Sequence, residues 1–228
     1  MQSNMLLYID PGTGAMLFTT IIGLVTTASF VLKKYVIKLK FRLTGGKEAV
    51  ASDEKIPYVI FSDSKRYWNV FGSICDEFEK RKIPVEYWTA SPDDPALSQD
   101  YEYVKCSFIG EGNRAYAKLN MMNAYICLGT TPGLDVYQWK RSRNTKYYVH
   151  TSHEVGGFLW YRMFGIDYFD AILLTGAFQE AEIRELEKIR HLPAKEMPVV
   201  GATYMDELAE KVKNCGITPE GTTVLLAP

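Results

Sequence analysis

From residue 57 to residue 212 the chain alternates short apolar runs with amphipathic stretches of helical period. Apolar runs bounded by turn residues predict buried strands, and apolar residues three and four positions apart predict helices with one buried face. The predicted strands are residues 58–61, 84–90, 103–109, 124–128, 146–150, 171–174 and 199–200. This alternation predicts an α/β domain with a Rossmann-like parallel sheet and helices on both faces.

Helices are predicted in most of the connections between these strands, including one that begins at Leu134 and one that runs up to Val212. In such sheets the ligand lies beyond the carboxyl ends of the strands, where the strand order reverses. The loops expected at that edge are 62–65, 110–113, 130–134, 150–157 and 175–179. The chain contains no G-x-G-x-x-G and no G-x-x-x-x-G-K-[ST] motif, which disfavours a dinucleotide-binding Rossmann domain and a P-loop NTPase.

An uncharged stretch, residues 11–32, precedes this domain. As a helix it would be ~33 Å long, against a hydrocarbon core of ~30 Å. It predicts a membrane helix with its basic flank over residues 15–43. The residues expected to contact lipid are Leu17, Phe18, Ile21, Ile22, Leu24, Val25, Lys33 and Lys34. The alternatives are a buried core helix and a cleaved signal peptide, whose basic residues should precede the apolar run rather than follow it.

The basic residues after the apolar stretch predict its orientation, because cytoplasmic flanks are enriched in Lys and Arg. We therefore expect a cell-membrane protein with an extracytoplasmic segment, 1–14. A linker, 44–56, would lead to the main domain, 57–215, on the cytoplasmic side. Residues 33–47 contain six basic residues and no acid, which favours contact with anionic membrane lipid.

The overall charge and the cysteines narrow the function classes. With 26 Lys and Arg against 27 Asp and Glu, the chain is not expected to bind nucleic acid. The four cysteines form no C-x-x-C motif. Cys75, Cys106 and Cys127 lie within apolar patterns and are predicted to be core thiols in a reducing compartment.

Two of the three histidines, His150 and His153, lie at the carboxyl end of the predicted fifth strand. A neutral imidazole there can accept a proton from an attacking hydroxyl, and Glu154 can orient it, so both histidines are candidate catalytic residues. Either histidine can instead merely cap the strand end. A His-x-x-His zinc pair is a further alternative, although no cysteine or third histidine lies nearby.

Two other loops at the same predicted edge carry hydroxyls or a carboxylate. Thr130, Thr131 and Gly133 precede the predicted helix from Leu134, and free amides at a helix start can hold a phosphate. Ser62 and Asp63 follow the first strand. We predict that these residues and Glu154 bind substrate; the alternative for both loops is an ordinary helix cap.

Four segments resemble, in their order and spacing, the CDP-glycerol glycerophosphotransferase family, whose members prime or polymerise teichoic acids. They are Tyr-Ile-Asp-Pro-Gly-Thr-Gly at 8–14, Val-Ile-Phe-Ser-Asp at 59–63, Thr-Pro-Gly-Leu-Asp at 131–135 and Tyr-Val-His-Thr-Ser-His at 148–153. The resemblance implies a GT-B fold, with this chain as the acceptor-side half and residues 216–228 opening a donor domain. The family's Trp-His-Gly motif, whose histidine is the proposed base, matches Ser152-His153-Glu154, so only the histidine is kept.

The resemblance also implies the reaction. Glycerol phosphate would pass from CDP-glycerol, a nucleotide-activated donor, to a lipid-linked acceptor in the cell envelope, with no cofactor beyond that donor. Two alternatives stay open: a GT-B glycosyltransferase that uses a nucleotide sugar, and a non-catalytic, membrane-tethered Rossmann-like module.

Overall fold

The computed structural model describes residues 55–216 continuously. Outside that range it describes only scattered positions, which are Thr20, 22–25, Thr27, Ala28, Leu32, Tyr35, Gly221 and Val224. The chain divides into two compact units, Met1–Asp53 and Glu54–Pro228.

A six-stranded parallel sheet forms the centre of the described part of the chain. Its strands are β1 (Ile56–Ser62), β2 (Val85–Thr89), β3 (Val104–Phe108), β4 (Ala124–Gly129), β5 (Tyr147–Thr151) and β6 (Ala171–Leu173). The strand order is β3-β2-β1-β4-β5-β6, and every neighbouring pair is parallel. The order therefore reverses between β1 and β4, and the predicted Rossmann-like α/β sheet is confirmed.

Four α-helices accompany the sheet within residues 55–216. They are α1 (Trp68–Lys80), α2 (Asn113–Leu119), α3 (Phe178–Arg190) and α4 (Thr203–Asn214). Short 3-10 helices cover Lys65–Tyr67, Pro95–Ser98 and Phe158–Trp160.

The central strand β1 shows why both faces of the sheet are covered. Its side chains alternate between two apolar clusters. Phe61 belongs to one cluster with Leu119 of α2, whereas Ile60 belongs to the other with Phe71 of α1. A strand buried on both faces reads as a continuous apolar run, which is why the sequence pattern located it.

Two predicted elements are wrong. Leu134 begins a turn rather than a helix: Asp135 takes a left-handed φ of 63°, and its N–H donates to the Trp139 carbonyl at 2.7 Å. This turn places Trp139 in the core beside Phe61. Val199 contributes only an isolated bridge to Leu174 instead of a seventh strand, because this edge is largely exposed and burial does not extend the pairing.

The predicted membrane helix lies largely outside the described residues. Outside them are Leu17, Phe18, Ile21, Lys33 and Lys34. The described positions between 20 and 35 are helical, and Ile22, Leu24 and Val25 are exposed. Among the described residues, no helix is long and apolar enough to cross a membrane. Residues 216–228, the expected opening of a donor domain, also fall outside them apart from Gly216, Gly221 and Val224.

Candidate functional site

Three of the predicted site loops meet at the carboxyl edge of the sheet. β1 pairs with β4 through Phe61 and Gly129, and β4 pairs with β5 through Gly129 and His150. The residues that follow these pairs therefore emerge side by side at the reversal of the strand order. This is the position at which open parallel sheets bind ligands.

Several polar atoms at this edge are buried and have no hydrogen-bond partner within the described part of the chain. Nδ1 of His150 and Oγ1 of Thr175 are two of them, and four more are Oδ1 of Asp63, Oγ1 of Thr130, Oγ1 of Thr131 and Nδ1 of His153. Buried polar atoms in folded proteins are nearly always paired, so unpaired ones mark places where a ligand or an ordered water completes the bonding. The four atoms come from all three loops, and we take them to define the candidate site.

Asp63 is the carboxylate of the candidate site. Burial raises its pKa, and the nearby Thr131 hydroxyl, its own backbone N–H and the charge of His153 act in the opposite direction. The charge of Asp63 also affects the pKa of two tyrosines. Burial is the larger cause of the raised pKa of Tyr67 and of Tyr116, and the Asp63 charge adds to it in both. Asp63 thus shares its electrostatic environment with the imidazole of His153.

Replacing Asp63 by asparagine should raise the stability of the protein while impairing the site. The pKa of Asp63 is higher in the folded state than in the unfolded state. At pH 7 the ionised carboxyl therefore lowers the free energy of unfolding. Below about pH 3.9 the carboxyl is protonated in both states and this cost disappears. Removing the charge should add roughly 0.5–2 kcal/mol to the free energy of unfolding at pH 7. Urea unfolding at pH 7 and pH 3 measures this.

The control for Asp63→Asn is Asp93→Asn. Asp93 is exposed and pairs with Lys65, and the hydrogen bond from Lys65 lowers the pKa of its carboxyl. This variant should show no gain at pH 7. A loss of stability in Asp63→Asn would contradict the assignment of a costly buried charge.

His153 lies at the rim of the site. Its ring is partly exposed and packs on Tyr67, with ring centroids 4.8 Å apart. A short turn fixes the backbone here, since Oγ of Ser152 donates to the Glu154 carbonyl at 2.7 Å. The Glu154 side chain is exposed. Asp63, rather than Glu154, is the carboxylate buried in the environment of His153.

His150 is placed differently from His153. It is completely buried in a cage formed by Phe158, Tyr161 and Phe169, and Nε2 lies 3.0 Å from the Tyr161 hydroxyl. Burial lowers the pKa of His150 to about 3, with a smaller contribution from the charge of His153. The side chain is therefore a neutral, buried group beneath the candidate site, and its Nδ1 has no hydrogen-bond partner within residues 55–216.

His150 should make the protein sensitive to mild acid. The unfolded chain protonates this ring near pH 6.5 and the folded chain only near pH 3, so stability is complete above pH 6.5 and falls as the pH drops below it. The loss should be about 2 kcal/mol at pH 5. Urea unfolding at pH 7 and pH 5 should show a smaller pH dependence in His150→Gln; an equal dependence would contradict the assignment.

The loop after β4 is not the helix start that the sequence predicts. No helix begins at Leu134, and the amides around it are used internally: Gly133 N–H donates to the Gly165 carbonyl at 2.7 Å, and Val136 N–H to the Gly133 carbonyl at 3.1 Å. Gly133 has φ 88°, and a Cβ there would collide with the Tyr137 ring. Gly133 shapes the loop, while the Thr131 hydroxyl lies near the Asp63 carboxyl and the Thr130 hydroxyl has no partner within residues 55–216.

The loop after β1 combines a cap with a site residue. Ser64 caps the 3-10 helix by accepting from the Arg66 N–H, and Oγ of Ser62 donates to the Ser64 carbonyl at 2.8 Å. Both serines are therefore occupied in forming the turn. Asp63, between them, is left with an unpaired carboxylate oxygen that faces the site.

Sequence reasoning missed three tyrosines around the site. Tyr67 packs on His153, Tyr116 lies within range of the Asp63 charge, and the Tyr161 hydroxyl bonds His150. In the sequence, Tyr67 occupies a helical apolar pattern and Tyr161 belongs to an aromatic-rich segment, both typical of core residues. The one available signal was the position of Tyr67 directly after the 62–65 loop.

A groove of about 530 Å³ lies elsewhere in this unit, between α1 and α4. Its lining includes Ile74, Phe78, Asp206 and Glu210. None of the predicted site residues lines it. Within the described residues, no three His, Cys, Asp or Glu side chains come together as a metal site requires.

Comparison with known proteins adds no assignment. No family model, curated protein or solved structure matches this chain.

Proposed function

We propose that this chain is the acceptor-side part of a membrane-associated transferase that moves glycerol phosphate from CDP-glycerol to a lipid-linked acceptor, in the synthesis of a teichoic-acid-like polymer. The observation that carries the proposal is the position of a rim imidazole, His153, and a partly buried carboxylate, Asp63, on loops that meet at the reversal of the strand order, where the charge of His153 acts on the Asp63 carboxyl. The resemblance of four segments to glycerophosphotransferases supplies the substrates.

The proposed reaction is a phosphoryl transfer. The acceptor hydroxyl oxygen attacks the β-phosphorus of CDP-glycerol and forms the new P–O bond. The bond from that phosphorus to the bridging oxygen breaks, and CMP leaves with the bond's electron pair. The hydroxyl proton passes to the imidazole of His153, which is a suitable general base near neutral pH.

Asp63 acts on this step through the charge that it places near His153. A carboxylate near the ring stabilises the imidazolium that forms when the proton arrives. The Thr130 hydroxyl, which has no partner within residues 55–216, is a donor available to acceptor oxygens at the same edge. The six-stranded sheet is compatible with one Rossmann-like half of a GT-B fold, in which the other half binds the nucleotide.

The proposed location is the cytoplasmic side of the cell membrane. Its support is the apolar stretch 15–32 with its basic flank, together with the exposure of Ile22, Leu24 and Val25. Thr27 Oγ1 donates to the Gly23 carbonyl at 2.7 Å, which is the internal bonding a hydroxyl needs in lipid. Attachment at the surface raises the local concentration of a lipid-linked acceptor.

A donor screen tests the proposal. The full-length protein is incubated in membranes that carry the lipid-linked acceptor, with CDP-glycerol or with UDP-sugars, and nucleotide release is measured. CMP release from CDP-glycerol alone is the expected result. Turnover only with UDP-sugars would identify a glycosyltransferase. The absence of turnover with every donor tested would favour the non-catalytic module.

A further inference from the structure

An exposed apolar loop lies next to the candidate site. It covers residues 155–164, begins directly after Glu154 and contains a single charged residue, Arg162. Leu159, Trp160 and Met163 are 74%, 89% and 67% exposed. Clusters of large exposed apolar side chains of this kind mark surfaces that meet a partner or a membrane.

The apolar loop is held in place by specific contacts. Phe158 is buried, and its N–H donates to Oε2 of Glu182 at 2.7 Å. The Tyr161 hydroxyl bonds His150, and Gly165 N–H donates to the Arg162 carbonyl at 2.8 Å. These anchors point inward on both sides of Leu159 and Trp160. The outward position of the two side chains is therefore built into the fold.

The chemistry of the loop fits the surface of a bilayer. Tryptophan and tyrosine are enriched at membrane interfaces. Transfer of the aliphatic side chains beside them out of water lowers the free energy. Arg162 is exposed and has no ion pair within residues 55–216, so its cation is available to anionic headgroups. The same chain contains a second apolar stretch with a basic flank, residues 15–47, which favours lipid over a protein partner.

We infer that the apolar loop inserts Leu159, Trp160 and Met163 into the headgroup region of an anionic bilayer, with Arg162 on lipid phosphates. The edge of the sheet that carries His153 would then face the membrane surface. A lipid-linked acceptor would approach His153 without leaving the bilayer. This consequence rests on the proposed function, whereas the lipid contact itself does not.

Trp160 is a built-in reporter for this contact. The other tryptophans are less accessible: Trp88 and Trp139 are buried and Trp68 is partly buried. The full chain is reconstituted in vesicles of phosphatidylcholine and phosphatidylglycerol with or without brominated acyl chains. We expect the brominated lipid to quench tryptophan emission, and Trp160→Phe to remove most of that quenching.

A matched pair of variants separates the loop from other apolar surface. Leu159→Ser should reduce the quenching of Trp160, whereas Ile189→Ser, at an apolar position on α3 that is 64% exposed, should leave it unchanged. Quenching of Trp160 by aqueous acrylamide that is the same with and without vesicles would overturn the inference. Protection from acrylamide without quenching by brominated lipid would also overturn it, because a protein surface would then cover the loop.

The His153→Asn variant keeps the two proposals distinguishable. Lipid quenching of Trp160 should be unaffected by this substitution, whether or not CMP release is lost. Failure of the transferase proposal therefore leaves the lipid measurement interpretable, and the reverse holds as well.

Discussion

Replacement of His153 by asparagine is expected to slow the release of CMP from CDP-glycerol by about 10²–10⁴-fold, the usual contribution of a positioned general base. Asparagine keeps a polar side chain of similar size but cannot take the acceptor proton near neutral pH. The His153 ring is partly exposed, and within residues 55–216 the one aromatic ring that packs on it is Tyr67. The fold should therefore tolerate the change. Initial rates in acceptor-containing membranes measure the effect.

His191→Asn is the matched control for His153→Asn. His191 is exposed at the end of α3 and has a left-handed φ of 54°, a conformation that asparagine accepts readily. Its turnover should equal that of the unmodified protein. Equal rates in His153→Asn and His191→Asn would remove His153 from the proposed mechanism.

Truncation of Phe61 to alanine is expected to lower the free energy of unfolding by about 3–5 kcal/mol. Phe61 is completely buried on the central strand β1, and its ring meets Trp139 edge-on with centroids 5.2 Å apart. The cavity would open between the sheet and the turn that carries Trp139. Urea unfolding at pH 7 measures the loss.

Phe108→Ala controls for the removal of a phenyl ring as such. Phe108 ends the edge strand β3 and is 43% exposed. Its truncation should cost less than about 1 kcal/mol. Equal losses in the two variants would contradict the assignment of Phe61 to the centre of the core.

The sheet was predictable because its strands are buried on both faces. A continuous apolar run such as the one around Ile60 predicts a strand even when the neighbouring strands are unknown. The turn at Leu134 was not predictable in the same way, since its geometry depends on the left-handed Asp135 and on the place of Trp139 in the core. Val199 is a residue type favoured in strands, but its exposed position leaves it with an isolated bridge to Leu174.

The candidate site was predictable in its parts and not in its assembly. Asp63, Thr131 and His153 were singled out as loop residues, yet only the strand order brings their loops together. The sequence gives no means to separate His150 from His153, because both follow an apolar strand. Their difference arises from the aromatic cage around His150, which is made by residues eight to nineteen positions away.

The central claim is that Asp63 and His153 act as one unit at the carboxyl edge of the sheet. Rates of CMP release by Asp63→Asn, His153→Asn and the double variant test it most directly. If the two residues act together, Asp63→Asn slows the reaction and the double variant is about as slow as His153→Asn alone. Full activity in Asp63→Asn, or two effects that simply multiply in the double variant, would contradict the claim.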